Sequence, residues 1–195
     1  LEKISSIAEQ AGKLTSQLLG FARKGKFYEI DLDMQEVIKH TLSMLTVSQA
    51  VQIQIKTIFP DEKITVKGDQ IQISQVLLNL ILNAVDAMEN CQEKHLTVIL
   101  APASEFSDKI EHLSNIRNWT WEKYCCISVS DTGTGISENL QQKVFEPFFT
   151  TKPVGSGTGM GLSMVYGTIK NHKGFVYLES TEGKGTTFYI ILPVC

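Results

Sequence analysis

The sequence predicts an α+β two-layer sandwich, a mixed and mostly antiparallel sheet packed on helices and preceded by one bundle helix. Three observations carry that expectation. Ile4, Ile7, Ala11, Leu14, Leu18 and Phe21 recur at alternating three- and four-residue spacing, the seam of a helix that packs against other helices. Several later segments of five to eight residues alternate with period two or run apolar, as strands do. Between them lie stretches of helical period that open on an aspartate, the longest starting at Asp69.

The opening seam is narrow and polar residues fill every other position, which favours a four-helix bundle over a helix lying on its own domain. Such a helix needs a partner that this sequence does not supply. Gly20 and then Arg23-Lys24-Gly25-Lys26 end the pattern as a short linker, so the expected division is residues 1–24 and residues 25–195. Phe27 to Leu32 alternates as a strand. Asp33 with Glu36 three residues on resembles a capping box for a helix to about Val47. Val51 to Ile58 alternates as a half-buried strand, and Ile64 to Lys67 is a further candidate. Asp69, with Gln72 in the reciprocal capping position, starts a helix to about Asn90. Leu96 to Ala101 and Tyr124 to Ser130 read as strands, joined by a polar segment, 102–123, that is long for a connection. Leu162 to Ile169 is helical and ends at Gly174, and strands at about 175–180 and 186–192 close the chain.

Composition narrows the function classes. With 195 residues, 43% hydrophobic and 20% charged, the chain has material for one well-buried core. A net charge of −3 gives no general attraction to nucleic acid or anionic lipid. No apolar run approaches the roughly 20 residues that cross a bilayer, so this segment is expected to be cytoplasmic without direct membrane contact, any anchor lying upstream. Cys91, Cys125, Cys126 and Cys195 lack metal-ligand spacing, and the neighbours Cys125 and Cys126 should point to opposite faces of a strand. Reduced thiols are the plainer reading.

Five segments carry chemistry. On the long helix, at about 100° per residue, Ile73, Val76, Leu77, Leu80, Ile81, Ala84 and Met88 share a broad face, while Gln75, Asn79, Asn83 and Asp86 share a narrow one. Asparagine is a mediocre helix former, so two of them one turn apart suggest a use beyond solvation: amide oxygens are hard neutral ligands suited to Mg²⁺ bridging phosphates. Asp131-Thr132-Gly133-Thr134-Gly135 ends a strand with a carboxylate and a glycine turn, either an ordinary turn or an acceptor for a buried amino group. Gly155-Ser156-Gly157-Thr158-Gly159-Met160-Gly161-Leu162 runs alternating glycines into a helix start. It is a flexible surface loop or an anion site built from free N–H groups and the helix dipole. Without a following Lys-Ser/Thr pair it is no Walker A loop. Phe145-Glu146-Pro147-Phe148-Phe149-Thr150-Thr151-Lys152 is expected to dock a mobile lid through its three phenylalanines. Gly183-Lys184-Gly185-Thr186-Thr187-Phe188 joins the last two strands, by a tight hairpin or as part of the same site.

Taken in sequence order, these five segments resemble the N, G1, F, G2 and G3 boxes of sensor histidine protein kinases, in the GHKL superfamily, and residues 1–24 are similar to the second helix of the kinases' dimerisation and phosphotransfer hairpin. The resemblance implies a Bergerat-type ATP site between the long helix and the glycine-rich lid. Asn83 matches the Mg²⁺ ligand, with Asn79 one turn earlier, both in the catalytic centre, and Asp86 beside them. Asp131 matches the residue that reads the adenine amine, with Gly133, Gly135 and Ile136 shaping its pocket and Thr186 close by. Gly157, Thr158, Gly159, Met160, Gly161 and Leu162 would hold the phosphates, and Lys152 would approach them. ATP and Mg²⁺ are the implied cofactors, a response regulator receiver domain the implied partner, and a homodimer the implied assembly. Related ATPases carry a glutamate base where Asn79 stands, so phosphoryl transfer is expected rather than hydrolysis. No histidine in the sequence precedes Asp or Glu, which places the expected acceptor upstream of Leu1. The 102–123 insert, with Trp119 and Trp121, is either decoration or a contact surface for a receiver or sensor domain.

Overall fold

The computed structural model describes residues 28–45, 53–110, 120–153 and 157–195. The opening helix, its seam and the linker lie outside the described residues, as do the helix end near Val47, the strand start at Val51 and Trp119.

A two-stranded ribbon leads into the domain: β1 (Ile30–Asp33) pairs antiparallel with β3 (Thr65–Gly68). Helix α1 (Met34–Ser43) starts where expected, with the Asp33 carboxylate accepting from the N–H groups of Gln35 and Glu36. The return bond of a capping box is not seen, and Glu36 instead pairs with Lys39 one turn along at 3.0 Å. Helix α2 (Gln70–Ala87) is capped the same way by Asp69, which accepts from Ile71 and Gln72. Here too the reciprocal partner differs from expectation. The Asp69 N–H donates to Nε2 of His172, 103 residues away, at 3.1 Å, so a tertiary contact has taken the place of a local one.

The main sheet has the order β2-β4-β5-β7-β6, where β2 is Gln54–Ile58, β4 His95–Pro102, β5 Tyr124–Asp131, β6 Phe175–Thr181 and β7 Gly185–Pro193. Only β2 and β4 run parallel, because β3 and α2 form the crossover between them; the other pairs are antiparallel. Strand β2 was expected to be half-buried, yet all five of its residues are exposed. It is an edge strand, and Ile53 just before it makes the contact with the core. The last helix, α4 (Gly161–Asn171), follows a short α3 (Glu138–Gln141).

One face of the sheet takes the helices. The apolar face of α2 read from the sequence, Ile73 through Met88, is buried against Leu96, Val98 and Leu100 of β4, Cys125, Ile127 and Val129 of β5, and Phe188, Ile190 and Leu192 of β7. Each fully buried Ile or Leu there contributes roughly 1.5–3 kcal/mol. The other sheet face is covered as well. Cys126, Tyr189 and Ile191 pack with Ala103 and Ile110, edged by Phe106, Trp121, Tyr124, Phe175 and Tyr177. Short 3₁₀ turns at Ala103–Phe106 and Trp121–Lys123 bring the two described ends of the long insert over that face. Cys125 and Cys126 fall on opposite faces, as period two requires.

Gly174 follows α4 for a different reason from the one expected. The left-handed residue at the helix end is Lys173, at φ 59°. A Cβ on Gly174 would instead sit 2.3 Å from the Ile191 carbonyl oxygen, so glycine there lets the chain pass close over β7.

Candidate functional site

The period-two alternation of β5 puts Cys125, Ile127 and Val129 on the helix-covered face, and Asp131 continues that row at the strand end. Its carboxylate is 7% exposed. Oδ1 accepts from the Gly133 N–H at 2.8 Å and from the Thr186 N–H at 3.3 Å, while no protein donor to Oδ2 is found among the described residues. Burial pushes the Asp131 carboxyl above its ordinary range, and the two N–H groups oppose the shift without cancelling it. A buried carboxylate with one oxygen left over is a site for an incoming donor.

Three chain segments are locked around this carboxylate. Gly133 stands against the end of α2, where a Cβ would come within 2.7 Å of the Ala87 Cβ, and Thr134 N–H donates to the Ala87 carbonyl at 3.1 Å. Gly135, at φ 68°, lies on the end of β6, where a Cβ would meet the Thr181 carbonyl oxygen at 2.1 Å. Gly183 N–H closes the β6–β7 hairpin onto the Thr134 carbonyl at 2.7 Å. Ile136 N–H donates to Ser180 Oγ at 2.8 Å, and Ser180 is 2.9 Å from Thr186 Oγ1. Gln141 of α3 donates to the carbonyls of both Ile136 and Ser180 at 3.0 Å. Thr132 completes the loop, accepting from His95 N–H and donating to the Glu93 carbonyl. Nothing in the sequence marks Ser180 or Gln141, because a polar residue at a strand or helix end carries no periodic signal, and Thr132 stands out there only as part of its glycine segment.

The second half of the site lies along α2. Asn79 and Asn83 are half-buried one turn apart, and neither has a side-chain hydrogen bond among the described residues. Asp86, one turn beyond Asn83, holds the Lys152 ammonium in an ion pair, which brings the end of the phenylalanine segment to the asparagine face. Lys152, expected to approach the phosphates, here pairs with Asp86 at the end of the face expected to hold the metal. Gly157 packs on the same segment, its missing Cβ leaving room for Thr150 Oγ1. Gly159, at φ 65°, rests on the backbone of Phe148, with the Phe148 carbonyl carbon 2.3 Å from where a Cβ would be. The docking role expected of three phenylalanines falls to two. Phe145 packs edge-on to Phe188 and against Tyr166, and Phe149 touches the core, but Phe148 is 76% exposed at φ 66°. Its backbone, rather than its ring, is what the lid uses.

Helix α4 begins at Gly161 behind Met160, half-buried with Thr158 and Leu162, and Leu162 packs on the core. The helix has no side-chain cap, in contrast to the aspartates on α1 and α2. Among the described residues no side chain caps its first N–H groups, as an anion site requires. Nothing among the described residues packs where a Gly161 side chain would be. Asp131, the asparagine face and this uncapped helix start together offer an acceptor for an amine, neutral ligands for a hard cation and donors for phosphate.

The chain is similar to known proteins over most of its length. The chain is 40% identical over 190 residues, 97% of its length, to sensor kinase CckA of Brucella abortus (strain 2308), of which it spans 20%. Full-length ShkA in complex with AMPPNP superposes with a TM-score of 0.74 over 100% of this chain and 38% of that one, at 21% identity. Histidine kinase ThkA in complex with response regulator protein TrrA superposes at 0.70 over 98% of this chain and 49% of that one, again at 21% identity. These two show the fold. Residues 68–195 match the model of the histidine kinase-, DNA gyrase B- and HSP90-like ATPases, a span that takes in all five glycine-, asparagine- and phenylalanine-bearing segments, and the chain belongs to that family.

Proposed function

We propose that the chain is the ATP-binding catalytic domain of a two-component sensor histidine kinase. It transfers the γ-phosphoryl group of ATP to a histidine upstream of Leu1, for relay to an aspartate on a response regulator receiver domain. The full protein works as a homodimer through helices to which residues 1–24 belong. The observation that carries this reading is Asn79 with Asn83, two half-buried amides on one face of α2 beside the lid lysine. A hydrolysing relative needs a carboxylate base at the first of these positions, and an amide cannot take a proton from water.

Mg²⁺ fits the residues present, because the Asn83 amide oxygen is neutral, hard and without a hydrogen-bond partner among the described residues. When bound, the ion neutralises charge on the β- and γ-phosphates. The chain's own residues position the nucleotide. Asp131 Oδ2 accepts from the adenine amine, with Gly133, Gly135 and Ile136 fixing the walls of the pocket. The N–H groups from Gly157 to Leu162 meet the phosphates, and Lys152 exchanges Asp86 for a phosphate oxygen. With positioning and charge stabilisation supplied, an acceptor imidazole brings its own nucleophile. The complexes of ShkA with AMPPNP and of ThkA with response regulator protein TrrA support the nucleotide and the partner class.

The chain incubated with labelled Mg-ATP should gain no phosphohistidine, since none of its four histidines precedes Asp or Glu. It should label, slowly, a longer form of the same protein whose own Asn83 is replaced by Ala. Acid-labile, base-stable label on the isolated chain contradicts the acceptor's placement. Measured ATP binding with no label on the longer partner favours a nucleotide-binding module without transferase activity.

A further inference from the structure

We propose that Ser180 sets the base specificity of the nucleotide pocket by turning the Thr186 hydroxyl into an acceptor only. Beside Asp131, the pocket floor then takes an exocyclic amine and refuses a carbonyl at the same place. The inference rests on the ATP reading above and assigns a role to a residue that touches Thr186.

Three polar atoms surround Ser180 Oγ: Ile136 N at 2.8 Å, the Gly185 carbonyl oxygen at 2.9 Å and Thr186 Oγ1 at 2.9 Å. A serine hydroxyl has one proton and two lone pairs. An amide N–H can only donate, so Ile136 occupies one lone pair. A carbonyl can only accept, so the Ser180 proton goes to Gly185. What remains for Thr186 is the second lone pair, and Thr186 must donate to it. The reverse assignment would forfeit the bond from Ser180 to the Gly185 carbonyl and take from the Thr186 proton the acceptor that Ser180 supplies, in a residue only 5% exposed. With its proton spent on Ser180, the Thr186 hydroxyl has nothing but lone pairs left to offer.

Those lone pairs lie beside the adenine-reading carboxylate. Thr187 pairs with Ser130 in the β5–β7 register, so Thr186 and Asp131 are the next residues on each strand, and the Thr186 N–H itself donates to Asp131 Oδ1. Gln141 holds the arrangement from behind through the carbonyls of Ile136 and Ser180. A floor of two acceptors complements the two N–H groups of an adenine amine. It repels the 6-carbonyl of hypoxanthine, because an acceptor facing acceptors is desolvated without a bond.

The test is titration of ATP and inosine triphosphate against the chain and its variants by calorimetry, with circular dichroism and thermal melts confirming the fold. Wild type should prefer ATP. In Ser180→Ala the Thr186 hydroxyl is released to donate inward, and the ATP-over-ITP preference should fall about tenfold, mainly through tighter ITP binding. Thr186→Val, which has no proton to offer, should weaken ATP binding without tightening ITP, and adding it to Ser180→Ala should erase the ITP gain. If Ser180→Ala does not fold, Ser180→Cys serves the same purpose, because a thiol is a poor acceptor for the Thr186 proton. An unchanged ratio in a folded Ser180 variant that binds ATP overturns the inference alone. A wild-type chain that binds neither nucleotide overturns the ATP reading and this inference with it.

Discussion

Asp131 shows how one residue can be costly to the fold and central to the proposed site. Its carboxyl is buried, and its raised pKa means that the native state binds its proton more tightly than the unfolded chain does. The contribution to stability is therefore greatest below the ordinary carboxylate range and is lost as pH rises through the native value. In Asp131→Asn the amide oxygen can keep the Gly133 and Thr186 N–H bonds without burying charge. Its melting temperature should equal wild type near pH 4 and exceed it at pH 7. The same substitution places an N–H₂ where the adenine amine needs an acceptor, so ATP binding should weaken by roughly ten- to a hundredfold. A variant that melts below wild type at pH 7, or binds ATP equally well, would separate the carboxylate from the role given to it.

Helix α2 joins stability and chemistry in one element. Its apolar face is buried along its whole length and its Asp69 cap is tied by His172 to the end of α4, so the asparagine face has a rigid support. His172 can do this in one neutral tautomer, with Nδ1 donating to the Thr168 carbonyl at 2.8 Å and Nε2 accepting from Asp69. The helix that starts at the glycine lid is thereby fastened to the helix that carries Asn79 and Asn83. Because Asn83 is assigned to the ion rather than the base, Asn83→Ala should abolish the tightening of ATP binding by Mg²⁺ and leave metal-free binding within about twofold. Equal losses with and without Mg²⁺, measured by titration in EDTA and in Mg²⁺, would contradict that assignment.

The whole molecule has cover on both sides of its sheet, and only one side is needed for the site. Asp131, Thr186 and α2 belong to the helix face, whereas Ile110, Phe106 and Trp121 lie on the other with Tyr189 and Ile191. The described ends of the 102–123 insert therefore line the outer face. Ile110 is fully buried there, so Ile110→Ala should cost about 2–5 kcal/mol in chemical denaturation. ATP affinity of the folded variant should not change. A loss of affinity at full fold would mean that the outer layer reaches the nucleotide pocket.

Local pattern alone was enough to read the apolar face of α2, the two aspartate caps and the opposite facing of Cys125 and Cys126, whereas the five segments joined into one expected site only through their resemblance to a family. Each depends on a period, a cap or a glycine within a few residues. The sequence also placed Asp131 at a strand end, because alternation along β5 runs straight into it. Tertiary structure decided everything that joins distant segments. His172 rather than Gln72 partners the Asp69 N–H, Lys152 finds Asp86, Gly174 is small because β7 passes beneath it, and the Ile136 N–H finds Ser180. Exposure of β2 and of Phe148 was equally out of reach, since residue type states a preference for burial but not which neighbours arrive to provide it. Hydrogen-bond partners far apart along the chain leave no period in a sequence; they exist only once the sheet order has brought the strands together.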